Sequence, residues 1–312
     1  METTTLGRTG LTVSVAGIGG GGKSRFGQSQ GATTEHSVGI VQAALDLGVT
    51  FIDTAPTYRT EAIVGRAIKG RRDEIVLSTK SPFLKDTVDL TAEELIQGLE
   101  DSLTALGTDC IDIYHLHGVA PDSYAYCREN LVPSLLRAKE QGKFRHLAIS
   151  ERFGQDTSHR MLDQALDDDF WEVVMIGYSM INPSARISIL PRIREKNLGV
   201  LDMFAVRRVL SQPKALSEFV NKVVSRGLVP KDEIDLEAPL DFLISEGGAE
   251  SIVDAAYRFC RHEPGVHVVL FGTGNRAHLE ANIKSINRGP LAPVALERLE
   301  RLFGKIDSIS GN

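Results

Sequence analysis

The sequence predicts an α/β fold closed as a (β/α)₈ barrel, the TIM-barrel architecture, on three observations. Short apolar runs alternate with longer helical patterns eight times along the chain, and such alternation specifies a parallel sheet with its helices outside. No G-x-G-x-x-G stands between the first strand and its helix: Gly19–Gly22 is followed by a polar stretch, 23–34, which argues against an open dinucleotide-binding sheet. No domain break divides the eight units, so residues 1–312 read as one barrel domain with a short N-terminal hairpin, a long loop after strand seven and an extra C-terminal helix. A barrel needs about 250 residues, which leaves length for those additions.

The elements follow in order. Residues 13–20 are apolar and end in glycine, a first strand. Residues 35–47 place Val38, Val41, Ala44 and Leu45 on one side of a helix, with Gly48 just past its end. TFIDTA (50–55) is the second strand, 61–69 a helix, and EIVLSTK (74–80) the third strand. Thr91 and Glu94 have capping-box spacing and open a helix that runs to Leu106. CIDIYHLH (110–117) is a strand and 129–141 its helix; FRHLAIS (144–150) is a strand and 157–166 its helix. VVMIGYS (173–179) precedes a helix over 183–196 with proline near its start. LGVLDMF (198–204) is the seventh strand. Residues 205–248 form an irregular stretch, and connections this long are usually functional or mobile. A helix over 250–261, a strand HVVLFG (267–272) and a helix over 276–286 complete the eight units. One more amphipathic helix, 294–306, packs across the barrel.

Composition excludes several functions. A net charge of −6 and a pI near 5.8 give no basic face for nucleic acid. No apolar run approaches the roughly 20 residues of a membrane span, and the N-terminus lacks the basic and apolar regions of a signal peptide. Cys110, Cys127 and Cys260 are scattered, without metal spacing. The expectation is a cytoplasmic protein without nucleic-acid or membrane partners; nothing in the pattern specifies an oligomeric state.

Barrel active sites lie at the C-terminal ends of the strands. There the second strand offers Asp53, with Tyr58 in the following loop; the third offers Lys80; the fourth, His115 and His117. Side chains alternate along a strand, so an Asp, a Tyr, a Lys and a His can share one mouth. The set suits carbonyl reduction: the oxygen gains negative charge as hydride reaches carbon, and a proton donor must stand beside it. An ammonium near a phenol lowers its pKa, a carboxylate holds that ammonium, and a histidine orients the carbonyl.

FIDTAPTY, IVLSTK and IDIYHLHGVAPD resemble the strands that carry the catalytic tetrad of the aldo-keto reductase family. The likeness runs from GRTGLTVSVAGIGGGG through GKFRHLAIS to VLFGTGNRAHLEAN. It implies a nicotinamide-dependent oxidoreductase acting on aldehydes or ketones, or on the corresponding alcohols or sugars. The implied catalytic residues are Asp53, Tyr58, Lys80 and His117, with Tyr58 as general acid and base. Gly19 is implied beside the nicotinamide. Ser150 matches a carboxamide contact; Glu151, Met175 and Met203 stand where the family has Asn, Gln and often Tyr. Gly272, Thr273, Gly274, Arg276, His278 and Asn282 match the adenosine-phosphate segment; Arg207 and Arg208 after strand seven stand either to meet a cofactor diphosphate or as surface charge. Arg276 as a 2′-phosphate ligand favours NADP(H) over NAD(H); His278 replaces a second Arg. No metal is expected.

Other readings stand beside these. Asp53 is equally a helix cap taken alone, Tyr58 a rim aromatic, His115 a structural histidine and Arg276 a solvated helix-start charge. Lys80 is harder to dismiss, because an inward lysine on an apolar strand needs a counter-ion. A Schiff-base lyase using Lys80 and a non-catalytic nicotinamide-binding module are the alternative functions.

Overall fold

The computed structural model describes residues 1–85 and 88–311. Two strands, β1 (Thr3–Thr5) and β2 (Thr12–Ser14), form an antiparallel hairpin. Then come β3 (Ala16–Gly19), β4 (Phe51–Asp53), β5 (Val76–Pro82), a small antiparallel pair β6 (Leu84–Lys85) and β7 (Val88–Asp89), β8 (Ile111–Val119), β9 (Phe144–Glu151), β10 (Val173–Gly177), β11 (Gly199–Met203) and β12 (Val268–Phe271). Eight of these close a parallel barrel in the order β3-β4-β5-β8-β9-β10-β11-β12.

Alternation along the strands builds two apolar layers. Phe51, Val76, Ile113, Ala148, Val173, Met175, Leu201 and Val268 fill the barrel, with Leu6 and Val13 of the hairpin packed into the same cluster. Their neighbours in sequence, such as Ile52, Leu77, Ile149, Val174, Val200 and Val269, face the helices instead. The barrel is a packed core rather than a pore, and its chemistry lies at the strand ends.

Several boundaries differ from the sequence pattern for identifiable reasons. The apolar run 13–20 divides, because Thr12–Ser14 pairs with the hairpin and only Ala16–Gly19 enters the barrel. The expected helix 183–196 breaks into Ala185–Ser188 and Leu190–Glu195; Pro191 has no N–H to continue the ladder. Likewise Val132–Glu140 is preceded by a π-helical turn, Cys127–Leu131, where Pro133 removes a donor.

The stretch 205–248 is not irregular throughout. It holds a helix, Pro213–Ser225, that buries Leu216, Phe219, Val220 and Val223 at helical spacing. The terminal helix Pro293–Phe303 packs against this segment, with the rings of Phe219 and Phe303 at 6.2 Å. The capping box forms: Thr91 Oγ1 accepts the Glu94 N–H at 3.2 Å, and Glu94 Oε2 accepts the Thr91 N–H at 2.9 Å. Thr91→Ala removes the acceptor of the Glu94 N–H while keeping the backbone N–H that Glu94 accepts, and is expected to cost about 1 kcal/mol, read as a lower urea midpoint; an unchanged midpoint would show that water replaces the cap without cost.

Candidate functional site

The site is built around a charge pair. Asp53 ends β4 and points inward; Lys80 lies on β5, also inward. Lys80 Nζ donates to Asp53 Oδ1 and Oδ2 at 2.5 Å and to the Thr54 carbonyl at 2.9 Å, so all three ammonium hydrogens are used. Ser78 Oγ, two residues below, donates to Asp53 Oδ1 at 2.8 Å. Lys80 is fully buried and Asp53 only 4 % exposed. Burial pushes the Lys80 pKa down, and the carboxylate of Asp53 opposes that shift.

Tyr58 ends a short 3₁₀ turn, Pro56–Tyr58, which follows β4. Arg59 completes the turn in the left-handed region, φ 58°. The Tyr58 hydroxyl lies 3.0 Å from His117 Nε2, and the two rings meet edge to face at 5.4 Å. Lys80 Nζ is 5.2 Å from the Tyr58 ring centroid. Gly21 lets the preceding loop close on this ring, because a Cβ there would stand 2.8 Å from the ring carbons. Tyr58 and His117 remain partly exposed at the rim while Lys80 lies beneath them.

The charges set the protonation states. Burial first, then the negative charge of Asp53, raise the Tyr58 pKa. The expected lowering by Lys80 is therefore corrected: burial and the Asp53 carboxylate dominate, while Lys80 Nζ is held by Asp53 and the Thr54 carbonyl. Tyr58 holds its proton through neutral pH. Burial, then Lys80, then Arg152 push the His117 pKa down to about 3, so its imidazole is neutral. His115, one step deeper and fully buried, is shifted the same way by burial and by Lys80.

The remaining positions divide. Gly19 ends β3, and the Gly20 N–H donates to the Asp53 carbonyl at 2.7 Å. Ser150 is inward, but its Oγ accepts the Gly118 N–H at 2.8 Å. Met175 and Met203 line the barrel interior. The Glu151 carboxylate, expected at a carboxamide, is engaged within the protein. Both its oxygens lie 3.0 Å from His159 Nδ1, and Oε1 accepts the Gly177 N–H at 2.7 Å. Its side chain and that of His159 are fully buried. Burial pushes the Glu151 carboxyl up and His159 opposes. His159, with φ 63°, gave no signal in the sequence.

On the far side of the mouth, Gly272, Thr273 and Gly274 link β12 to the helix Arg276–Ile286. Asn275 caps this helix through the His278 N–H at 3.1 Å. Arg276 and His278 are exposed and Asn282 half-buried, so the helix start presents a basic face that fits a phosphate. Arg276 Nε is held 3.0 Å from Glu280, a carboxylate that any phosphate must displace. A Cβ on Gly274 would stand 2.2 Å from Gly27 Cα, and His36 Nε2 is 2.7 Å from the Gly274 carbonyl, so the loop after β3 docks on this turn. Arg207 lies over the Phe204 ring at the end of β11. A cavity of about 440 Å³ lined by Arg186, Leu190, Arg194, Phe259 and His262 belongs to the outer helices and holds no member of this constellation.

Comparison with known proteins places the chain. The model of the Aldo/keto reductase family matches residues 17–303, and the chain belongs to that family. Aldo-keto reductase YhdN of Bacillus subtilis is 28% identical over 299 residues, covering 90% of this chain and 87% of that one. L-galactose dehydrogenase of Arabidopsis thaliana is 29% identical over 208 residues, 64% of each chain. Among solved structures, aldo-keto reductase AKR11C1 from Bacillus halodurans in its holo form superimposes with a TM-score of 0.73 at 24% identity, covering 97% of this chain and 96% of its own. An aldo/keto reductase from Klebsiella pneumoniae in complex with NADP and acetate gives 0.68 at 21% identity, covering 96% and 95%. Family membership carries the coarse function, an oxidoreductase that works with a nicotinamide cofactor. Among the described residues no helix is long and apolar enough to cross a membrane.

Two outcomes test the electrostatics. Lys80→Met leaves the Asp53 carboxylate buried and unpaired, which should cost about 3–5 kcal/mol, whereas adding Asp53→Asn should recover much of it; a Lys80→Met protein as stable as the wild type would contradict the ion pair. For His117, the unfolded chain takes up a proton near 6.5 and the folded chain only near 3. Stability is therefore lost as pH falls through that window and is unaffected above it. His117→Asn should weaken that acid limb when urea midpoints near neutrality and near pH ~4 are compared; an unchanged limb would place the charge elsewhere.

Proposed function

We propose that this protein reduces aldehyde or ketone groups, or oxidises the corresponding alcohols, with Tyr58 as the general acid and base. The observation that carries the reading is the Tyr58 hydroxyl, protonated, partly exposed and 3.0 Å from a neutral His117, above the buried Lys80–Asp53 pair. A bound reduced nicotinamide cofactor supplies the hydride. Tyr58 gives its proton to the carbonyl oxygen as that oxygen becomes negative. His117, a neutral imidazole carrying its proton on Nε2, donates a hydrogen bond to the same oxygen and orients the substrate. Lys80 stabilises the phenolate left behind, and Asp53 fixes Lys80 beneath the ring.

Gly272, Thr273, Gly274 and the helix that follows them would hold the phosphates, with Asn282 alongside. The exposed Arg276 and His278 favour NADP(H) over NAD(H), since a 2′-phosphate adds charge for them to meet. The Asp53 carboxylate holds the Lys80 ammonium charged through two contacts at 2.5 Å, which opposes the lyase alternative, where a neutral amine must attack.

Tyr58→Phe is expected to lower turnover by about 10²- to 10⁴-fold, the usual contribution of a general acid, while leaving the Kd for NADPH within experimental error of wild type. Wild-type turnover in that variant would sink the assignment. Nicotinamide fluorescence supplies the Kd, and the same titration with NADH should give weaker binding.

A further inference from the structure

We infer that Glu61 is a positioning residue for the proton donor: through Thr79 it pins the far end of the loop that carries Tyr58 to the strand that carries Lys80. This rests on the role proposed for Tyr58 above and deepens it. Glu61 opens the helix Glu61–Ala67, three residues after Tyr58, and is only 7 % exposed. A buried carboxyl needs partners, and its partners are hydroxyls. Oε1 accepts the Thr79 hydroxyl at 2.7 Å. Burial pushes the Glu61 pKa up, and Thr79, then Ser102 of the helix Ala92–Leu106, oppose that shift.

What this contact holds is set by β5. Thr79 and Lys80 are consecutive, so their side chains leave opposite faces of the strand. Lys80 reaches inward to the Asp53 carboxylate and the Thr54 carbonyl. Thr79, fully buried, reaches the other way and holds Glu61. The segment 53–61 therefore begins and ends on one dipeptide of β5. Across its base, Thr54 Oγ1 and Thr60 Oγ1 lie 2.8 Å apart, and Thr60 Oγ1 donates to the Gly20 carbonyl at 3.3 Å. Those hydroxyls tie the loop to itself and to its neighbour; Glu61 is the residue that ties its far end to β5.

The backbone between the two anchors shows why both are needed. Arg59, next to Tyr58, has φ 58°, and its side chain is exposed, so no packing of its own fixes that conformation. A left-handed residue with a Cβ is strained and persists only where its surroundings over-determine it. Released at the Glu61 end, Arg59 would relax toward an ordinary φ and move the turn Pro56–Tyr58 that precedes it. The Tyr58 hydroxyl would then leave its place 3.0 Å from His117 Nε2. The near anchor does not prevent this, because the contacts of Lys80 stop at Thr54, four residues before Tyr58.

The test is a double-mutant cycle on the single-turnover rate of NADPH oxidation, with a short aldehyde that the wild type reduces. Glu61→Ala should lower that rate about 10- to 100-fold and leave the Kd for NADPH unchanged. The solvent deuterium isotope effect should rise, because proton transfer becomes limiting. Glu61→Gln keeps an acceptor for Thr79 and should recover most of the loss. Thr79→Val removes the same contact from its other side and should reproduce the fall, with Thr79→Ser restoring the rate; this pair gives the answer if Glu61→Ala does not fold. In a Tyr58→Phe background, Glu61→Ala should cost nothing further. Equal losses in both backgrounds, or wild-type rates in Glu61→Ala and Thr79→Val, would overturn the inference. A wild type that reduces none of a panel of short aldehydes, or wild-type rates in Tyr58→Phe, would instead remove the role of Tyr58 itself, and that of Glu61 with it.

Discussion

The buried contact between Asp53 and Lys80 constrains the rest of the site. An ammonium and a carboxylate at the end of an apolar barrel are each costly to bury alone, and they persist because each satisfies the other. Their pairing requires β4 and β5 to lie side by side in the register Asp53↔Ser78, which places Lys80 just beyond Asp53. It also fixes what lies above. Thr54 gives its carbonyl to Lys80, and Thr54 Oγ1 lies 2.8 Å from Thr60 Oγ1, so the segment carrying Tyr58 is tied at both ends. The Tyr58 ring is then closed from above by Gly21. An electrostatic requirement becomes a positional one for the proton donor.

The same pair explains the protonation pattern. At Tyr58 burial dominates and the Asp53 carboxylate adds to it. Burial also dominates at His117 and His115, and there Lys80 adds to it. Under the proposed function, a protonated phenol suits reduction, in which a proton leaves the protein toward the substrate. Oxidation asks the opposite of Tyr58. A cationic nicotinamide near the ring would favour the phenolate, so the direction of catalysis and the cofactor's charge are coupled through one residue.

How much of this was legible in the sequence depends on the range of the interactions. Asp53, Lys80 and the pair His115 and His117 could be placed at one mouth because the period of two along a strand carries that information locally; Tyr58 and the choice of His117 came from the likeness to the family's strands. The helix Arg276–Ile286 was legible to the residue because Asn275 caps its start. Glu151 was not: its partner His159 stands eight residues on, in a left-handed conformation that no histidine announces. Phe153, in the turn after β9, packs where Gly177 lacks a side chain, a contact that no local period carries. The helix Pro213–Ser225 was missed although Leu216, Phe219, Val220 and Val223 carry its period, because the length of 205–248 read as a loop and masked the shorter pattern. The hairpin strand Thr12–Ser14 merged with β3 for a related reason, since Val13 leads into the apolar run and only pairing distinguishes the two strands.

The central claim is that a hydride reaches a carbonyl carbon held beside Tyr58. Its most direct test loads the protein with NADPH deuterated at the transferable position of the nicotinamide and offers a panel of short aldehydes, ketones and aldoses, with products read by mass spectrometry. The account predicts an alcohol carrying one deuterium at the former carbonyl carbon, with oxidised cofactor formed in equal amount. Bound NADPH that yields no reduced product from any member of the panel, or an alcohol without deuterium, would contradict it.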